Sequence, residues 1–234
     1  TEEECRELET EAERFAAAGA DGFVLGMLKP DGSLDRERIS ELMKHCGGRP
    51  VTLHRCFDLC KDPFEALRIA EELGIARILT SGQANTAAEG AGTLAALAQE
   101  AKSLRLMAGS GVSAEKIEAL YRETGILSYH MSGKVNEESP MQFRREGVSM
   151  GLPGFSEYSR SYTSAEKVRA AREVLECLDR ERNPEDWRPS AETEREIDAA
   201  FFARLQKSEA LRAGYRASVA AAGTLTSGER TAIR

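Results

Sequence analysis

The chain has 234 residues, of which 41% are hydrophobic and 30% charged. That composition supports a sizeable core without disulfide or metal staples. Lys and Arg number 32 against 39 Asp and Glu, a formal charge of −7, which excludes a general binder of nucleic acid or acidic membrane, since both require a net basic face. No apolar run approaches the roughly 18 residues of a membrane span. The Thr-Glu-Glu-Glu start has neither the basic opening nor the apolar stretch of a secretory signal. Five cysteines in a chain of this length do not make a disulfide framework. A cytoplasmic, reducing location is therefore expected.

The predicted elements alternate. A first helix runs from Thr1 to Ala18, opened by a Thr1-x-x-Glu4 capping box and followed by Gly19. Five short apolar runs then read as buried strands: Gly22–Leu28, Val51–Phe57, Arg77–Ser81, Leu104–Ala108 and Ile126–Met131. Their starts lie 22–29 residues apart, the length of one βα unit. Helical stretches fill the intervals, and those before strands end at Gly47, Gly74 and Gly125. The clearest is Asp62–Leu73. Asp62 caps it, Pro63 takes its first turn, and Phe64, Leu67, Ala70 and Leu73 form its apolar stripe. The alternation predicts a parallel α/β sheet, read as a partial TIM-type barrel with about five of the eight βα units such a barrel needs. A doubly wound sheet is the alternative on pattern alone. Ala108-Gly-Ser-Gly-Val112 has too few glycines, in the wrong unit, for a dinucleotide turn.

The character changes near Tyr162. Residues 162–234 hold 13 basic and 13 acidic side chains, so the whole −7 lies in residues 1–161. The chain is accordingly divided into a barrel-like part, 1–161, and a helical C-terminal extension, 162–234. A Thr163-x-x-Glu166 capping box predicts a helix to Arg182 with Val168, Ala171, Val174 and Leu175 on one side. Asn183-Pro184 breaks it, and Arg188-Pro189-Ser190 starts a second helical stretch to about Ala222.

Barrel chemistry sits at the C-terminal ends of strands. Those positions collect His54, Arg55, Cys56, Asp58 and Cys60 after the second strand, and Thr80, Ser81 and Gly82 after the third. Gly109, Ser110 and Gly111 follow the fourth, and His130, Ser132 and Lys134 end the fifth. Two of the chain's three histidines are among them. On an extended strand His54 and Cys56 share a face and, with Cys60, suit a soft or borderline ion such as Cu(I) or Zn(II). A buried histidine beside a core thiol explains the same residues. Arg55 and Asp58 read either as an anion clamp with its orienting carboxylate or as an ion pair closing a loop. His54 and His130 are the acid/base candidates. The Gly109–Ser113 turn offers backbone N–H groups to a phosphate, although ordinary helix capping by Ser113 explains the same residues and is the favoured reading. Lys134 is a Schiff-base candidate or a surface charge. Cys5, Cys46 and Cys177 fall in helical patterns and read as structural. His45, at a helix end, suits the dipole there.

Several ordered blocks resemble the CutC family. Gly19-Ala-Asp-Gly-Phe-Val-Leu-Gly-Met-Leu-Lys-Pro-Asp-Gly32 is similar to its GADGxVxGxLxPDG segment, and Pro50-Val-Thr-Leu-His-Arg-Cys-Phe-Asp58 to its PVTFHRAFD. Asp62–Leu67, Arg77–Gly82, Ala88-Glu-Gly90, Tyr129–Ser132, Met141-x-Phe-Arg144 and Ser156–Ser159 follow in the family's order. The resemblance spans residues 1 to about 176. It implies a TIM-type barrel, a cytoplasmic role in copper homeostasis with Cu(I) binding, and no established catalysed reaction. It maps the family pocket onto His54, Arg55, Asp58, Thr80, Ser81, Gly82, His130 and Ser132. Cys56 stands where the family usually has alanine, and Ala108-Gly-Ser-Gly111 where it has a glycine-rich turn. About three further βα units precede this region in the family, so the chain reads as N-terminally incomplete, with two open sheet edges, pairing with another copy or covered by its own tail helices.

Three expectations follow. The first is a copper homeostasis protein holding Cu(I) through His54, Cys56 and Cys60. The second is a TIM-barrel enzyme acting on a small anionic or phosphorylated substrate, with Arg55 and the Gly109–Ser113 turn on the anion and His54 or His130 as acid/base. The third is a truncated barrel without pocket function.

Overall fold

The computed structural model describes residues 1–145, 147–148, 151, 156 and 158–182. The helical stretch expected from Arg188 to Ala222 lies outside the described residues. In chain order the elements are α1 (Glu2–Ala17), β1 (Phe23–Leu25), α2 (Arg36–Lys44), β2 (Val51–Leu53), a 3₁₀ turn (Arg55–Leu59), α3 (Pro63–Glu72), β3 (Arg77–Thr80), α4 (Ala91–Glu100), β4 (Arg105–Gly109), α5 (Ala114–Thr124), β5 (Tyr129–His130), β6 (Lys134–Glu138), β7 (Ser159–Thr163) and α6 (Ala165–Arg182).

β1 to β5 form one parallel sheet in sequential order, and β6 and β7 pair as a separate antiparallel ribbon. Sequential parallel strands joined by right-handed crossovers place the connecting helices on one face. Burial agrees. The registered row Leu25, Leu53, Ile78 and Leu106 is buried together with Leu42, Leu67, Leu94, Leu97 and Ile117 of the helices. The alternate positions Val24, Thr52, Leu79 and Met107 are exposed or half-buried on the other face. This is a partial TIM-type α/β fold, a five-stranded parallel sheet with helices packed on one face.

Capping chemistry starts the helices where the sequence places them. The Thr1 hydroxyl and Glu4 carboxylate close a capping box on α1, and the Asp62 carboxylate accepts from the Phe64 and Glu65 N–H groups at 2.9 and 3.0 Å, with Pro63 at N1.

Four local expectations are corrected. The second strand stops at Leu53, because the His54 ring turns back on its own backbone and opens a 3₁₀ turn. His54 and Cys56 therefore do not share a strand face. The fifth strand shrinks to Tyr129–His130. The cap of α6 is Ser164, whose Oγ accepts from the Lys167 N–H at 3.3 Å, while Thr163 remains in β7. Phe64 and Val168 are exposed, and Ala66 and Leu178 are buried in their place on α3 and α6.

Candidate functional site

The C-terminal ends of β2 and β3 are tied together by one carboxylate. Asp58 sits in the 3₁₀ turn with its side chain 7% exposed. Its Oδ1 accepts from the Thr80 hydroxyl at 2.5 Å, the Ser81 N–H at 3.0 Å and the Gln83 N–H at 3.2 Å. Its Oδ2 accepts from Arg55 Nε at 2.7 Å. Burial opposes ionisation of this carboxyl. The donors from Thr80, Arg55, Gln83 and Ser81 outweigh burial and hold it below the ordinary Asp value.

Arg55 adds a second strut. Its Nη2 donates to Ser81 Oγ at 2.8 Å, and Ser81 Oγ lies 2.6 Å from the Ala84 carbonyl. The Arg55–Asp58 pair therefore closes a loop, as one of the two readings held, and at the same time fixes a half-exposed guanidinium at the mouth of the sheet. Its remaining nitrogen, Nη1, is engaged by neither Asp58 nor Ser81. Thr80, Ser81 and Gly82 are all buried beneath it.

The thiols lie behind this network. The backbone N–H of Cys56 donates to His54 Nδ1 at 3.1 Å. That bond makes Nδ1 an acceptor and leaves the proton of the neutral ring on Nε2. Cys60 is buried, and Gln83 Nε2 donates to its carbonyl at 2.6 Å and touches its Sγ at 3.5 Å. Burial pushes the Cys56 thiol up to about 12 and the Cys60 thiol up to about 11. Among the described residues no group of three or more His, Cys, Asp or Glu is placed to hold a metal ion. Of the cysteines read as structural, Cys46 is buried, whereas Cys177 is exposed.

β4 and β5 supply the other side. Gly109 pairs with His130, and a Cβ on Gly109 would lie 2.6 Å from Leu79 Cδ1, so a larger residue there would require the Leu79 side chain to move aside. His130 and Ser132 are exposed. The Ser110 carbonyl accepts from the Ala87 N–H, and Ser110 Oγ donates to the Asn85 carbonyl, which ties this turn to the loop after β3. Ser113 occupies the N-cap of α5 but makes no side-chain capping bond. Lys134 opens β6 on the surface. His54 and His130 end strands separated by β3 and β4, three spacings or about 14 Å along the sheet.

Two residues of the site were given no role by sequence reasoning, although Gln83 falls at the end of the third predicted strand. Gln83, with φ +59, contributes both an N–H to Asp58 and its amide to Cys60. Gly26 allows the 3₁₀ turn to approach β1, since a Cβ there would lie 2.5 Å from Cys56 Sγ and 3.1 Å from His54 Cε1. A glycine closing an apolar strand was the available signal. Asp31 Oδ2 accepts from Lys61 at 2.9 Å and joins the loops after β1 and β2 on the same rim.

Known proteins share this sequence and architecture. The sequence model of the CutC family matches residues 1–135. A family protein CutC of Chromobacterium violaceum is 43% identical over 159 residues, which cover 68% of this chain and 64% of that protein. A human protein named copper homeostasis protein cutC homolog is 36% identical over 162 residues, covering 68% of this chain and 59% of its own length. The crystal structure of a CutC protein from Streptococcus agalactiae superposes with a TM-score of 0.54 at 30% identity, over 56% of this chain and 64% of that one. The chain thus spans less than two thirds of these relatives. With more than half of it matched by the family model, and with the family's strand-end blocks assembled around Asp58, the chain belongs to the CutC family.

Proposed function

We propose that the chain serves copper homeostasis, the role in the name of its human relative, and takes Cu(I) as cargo through Cys56 and Cys60, with His54 beside them. The observation that carries this reading is the grouping of two thiols and an imidazole within Leu53–Cys60, with Cys56 Sγ and His54 both against Gly26. Soft thiolates select Cu(I), and a two-sulfur set is a coordination that Cu(I) accepts. Both thiols are protonated near neutrality, so binding releases their protons. A cytoplasmic location belongs to the same proposal; no described helix is long and apolar enough to cross a membrane.

The experiment is a Cu(I) competition titration against a colorimetric chelator under reducing conditions. Affinity is expected to rise about tenfold per pH unit for each proton released on binding, and Cys56→Ser or Cys60→Ser is expected to weaken binding at least about tenfold. Unchanged affinity in both variants and in His54→Ala sinks the assignment.

One observation favours a second reading, a pocket or enzyme site for a small anionic or phosphorylated ligand. The half-exposed Arg55 guanidinium is held at two nitrogens by Asp58 and Ser81, and neither of them engages its third. Inorganic phosphate is the probe. Calorimetric binding that Arg55→Ala abolishes, with Cu(I) affinity untouched, supports this reading; no heat of binding in the wild type removes it.

A further inference from the structure

Among the described residues, two that are not glycine have positive φ: Gln83 at +59 and Ser110 at +77. Glycine or asparagine adopts that backbone more readily than a longer side chain does. At Ser110 the side chain makes a local tie, its Oγ donating to the Asn85 carbonyl at 2.6 Å. At Gln83 the side chain leaves its own loop. It crosses from the end of β3 to the end of β2, where Nε2 lies 2.6 Å from the Cys60 carbonyl oxygen and 3.5 Å from Cys60 Sγ. An amide nitrogen carries two hydrogens, so it donates to both at once.

The loop that carries Gln83 is fixed independently of that side chain. The Gln83 N–H donates to Asp58 Oδ1 at 3.2 Å, and the Gly82 N–H donates to Thr80 Oγ1 at 2.9 Å. What the side chain adds is its hold on Cys60. The bond to the carbonyl sets where the Cys60 backbone lies, and the bond to the sulfur acts on the thiol itself. A sulfur bound to Cu(I) has given up its proton and carries negative charge, and a donor pointing at it stabilises that state. Hydrogen-bond partners behind metal ligands orient those ligands and tune them.

We propose that Gln83 is the positioning residue of the Cu(I) site: its amide fixes the Cys60 backbone and donates to the Cys60 sulfur, which takes the ion together with Cys56. This role rests on the Cu(I) reading above and adds to it a residue from another strand end. The site is then bipartite. The thiols come from the 3₁₀ turn after β2 and its C-cap, and the group that orders them comes from the loop after β3. The Asp58 carboxylate, which accepts from the Gln83 N–H, keeps the two loops in register.

A Cu(I) competition titration of the full chain under reducing conditions tests the proposal, with Gln83→Leu beside the wild type. Leucine is of comparable size, donates nothing and does not ligate copper. Affinity is expected to fall about 10–100-fold, with far-ultraviolet circular dichroism unchanged. At saturating copper the sulfur-to-copper absorption of the variant is expected at longer wavelength, because its thiolate has lost a donor. A merely structural role would not move that band. Should Gln83→Leu fail to fold, Gln83→Asn takes its place: asparagine accepts the left-handed backbone but is one methylene shorter, and the same loss is expected. A second measurement needs no copper. In the metal-free protein the ¹⁵N–¹H signals of the Gln83 side-chain amide are expected to shift in Cys60→Ala. A wild type that binds no Cu(I) removes the copper reading and this role with it. Wild-type binding with unchanged affinity and absorption in the folded variant, or amide signals indifferent to Cys60→Ala, overturns the role of Gln83 alone.

Discussion

Asp58→Asn is expected to lower stability by about 1–3 kcal/mol, the range for leaving a buried hydrogen-bonding group unmatched. In a chain of this size that is a fall in melting temperature of about 2–10 °C. The reason is the number of donors on one buried carboxylate. Asparagine keeps one acceptor oxygen and turns a donor group toward Thr80, Ser81, Gln83 or Arg55, so at least one buried donor is left unmatched. The pH dependence has a definite sign. The folded-state pKa of Asp58 is depressed, so its stabilisation is fully present above the unfolded value of about 3.9 and is lost as the pH falls through the folded value. Wild type and variant should therefore converge in stability at acid pH and diverge toward neutrality. Thermal melts at neutral pH and below about pH 4 provide both measurements, and a variant that melts with the wild type at neutral pH would show that Asp58 is not the strut described.

Gly82→Ala and Gly90→Ala are expected to be at least as damaging, through the backbone. A Cβ on Gly82 would lie 2.3 Å from the Gly90 carbonyl oxygen, and one on Gly90 would lie 1.9 Å from that of Ser81. Main-chain atoms at both contacts leave no flexible side chain to move aside. Gly82 also has φ +72, which adds about 1–2 kcal/mol for any residue with a Cβ. Each variant should lose more than about 3 kcal/mol or fail to accumulate as folded protein. Gly19→Ala is the control. Its φ is +87, but a Cβ there meets nothing within 4 Å, so it should lose only the about 1–2 kcal/mol of the left-handed backbone. If all three variants melt alike, the close approach of the two loops is not what requires glycine.

The link from Asp58 and Gly82 to function runs through Ser81. This buried residue receives Arg55 and sits on Asp58, while its carbonyl lies against Gly90. Loosening either anchor frees the Arg55 guanidinium, so an anion site would weaken together with stability. The Cys56–Cys60 pair hangs from the same 3₁₀ turn and would shift with it.

Much of this organisation is legible in the residues. The period of the βα unit, Asp62 and Pro63 at a helix start, and glycines at helix ends all act over a few residues, where backbone sterics and local hydrogen bonds dominate. The CutC blocks were legible for the same reason, since they are contiguous. Errors arose where a side chain found a partner that spacing does not reveal. Val51–Phe57 has the pattern of a strand throughout, yet it ends at Leu53. There the ring of His54 accepts from the N–H two residues on, and Asp58 binds donors of β3 more than twenty residues away. Phe64 and Val168 have the correct helical period, yet both are left exposed, since period alone does not say which neighbours reach a face.

By itself the sequence determined the alternation of strands and helices, the family, and which polar residues gather at strand ends. Each of these depends on local period, local capping or contiguous motifs. Only the tertiary structure decided that Asp58 is the buried hub, that Arg55 is fixed by Asp58 and Ser81, and that His54 and His130 lie at the ends of strands three spacings apart. It alone set Arg77 beside Arg105 in the register of neighbouring strands. Those facts follow from which strand lies next to which and how far each loop reaches. Such relations connect residues distant in the chain, and no spacing along a single segment encodes them.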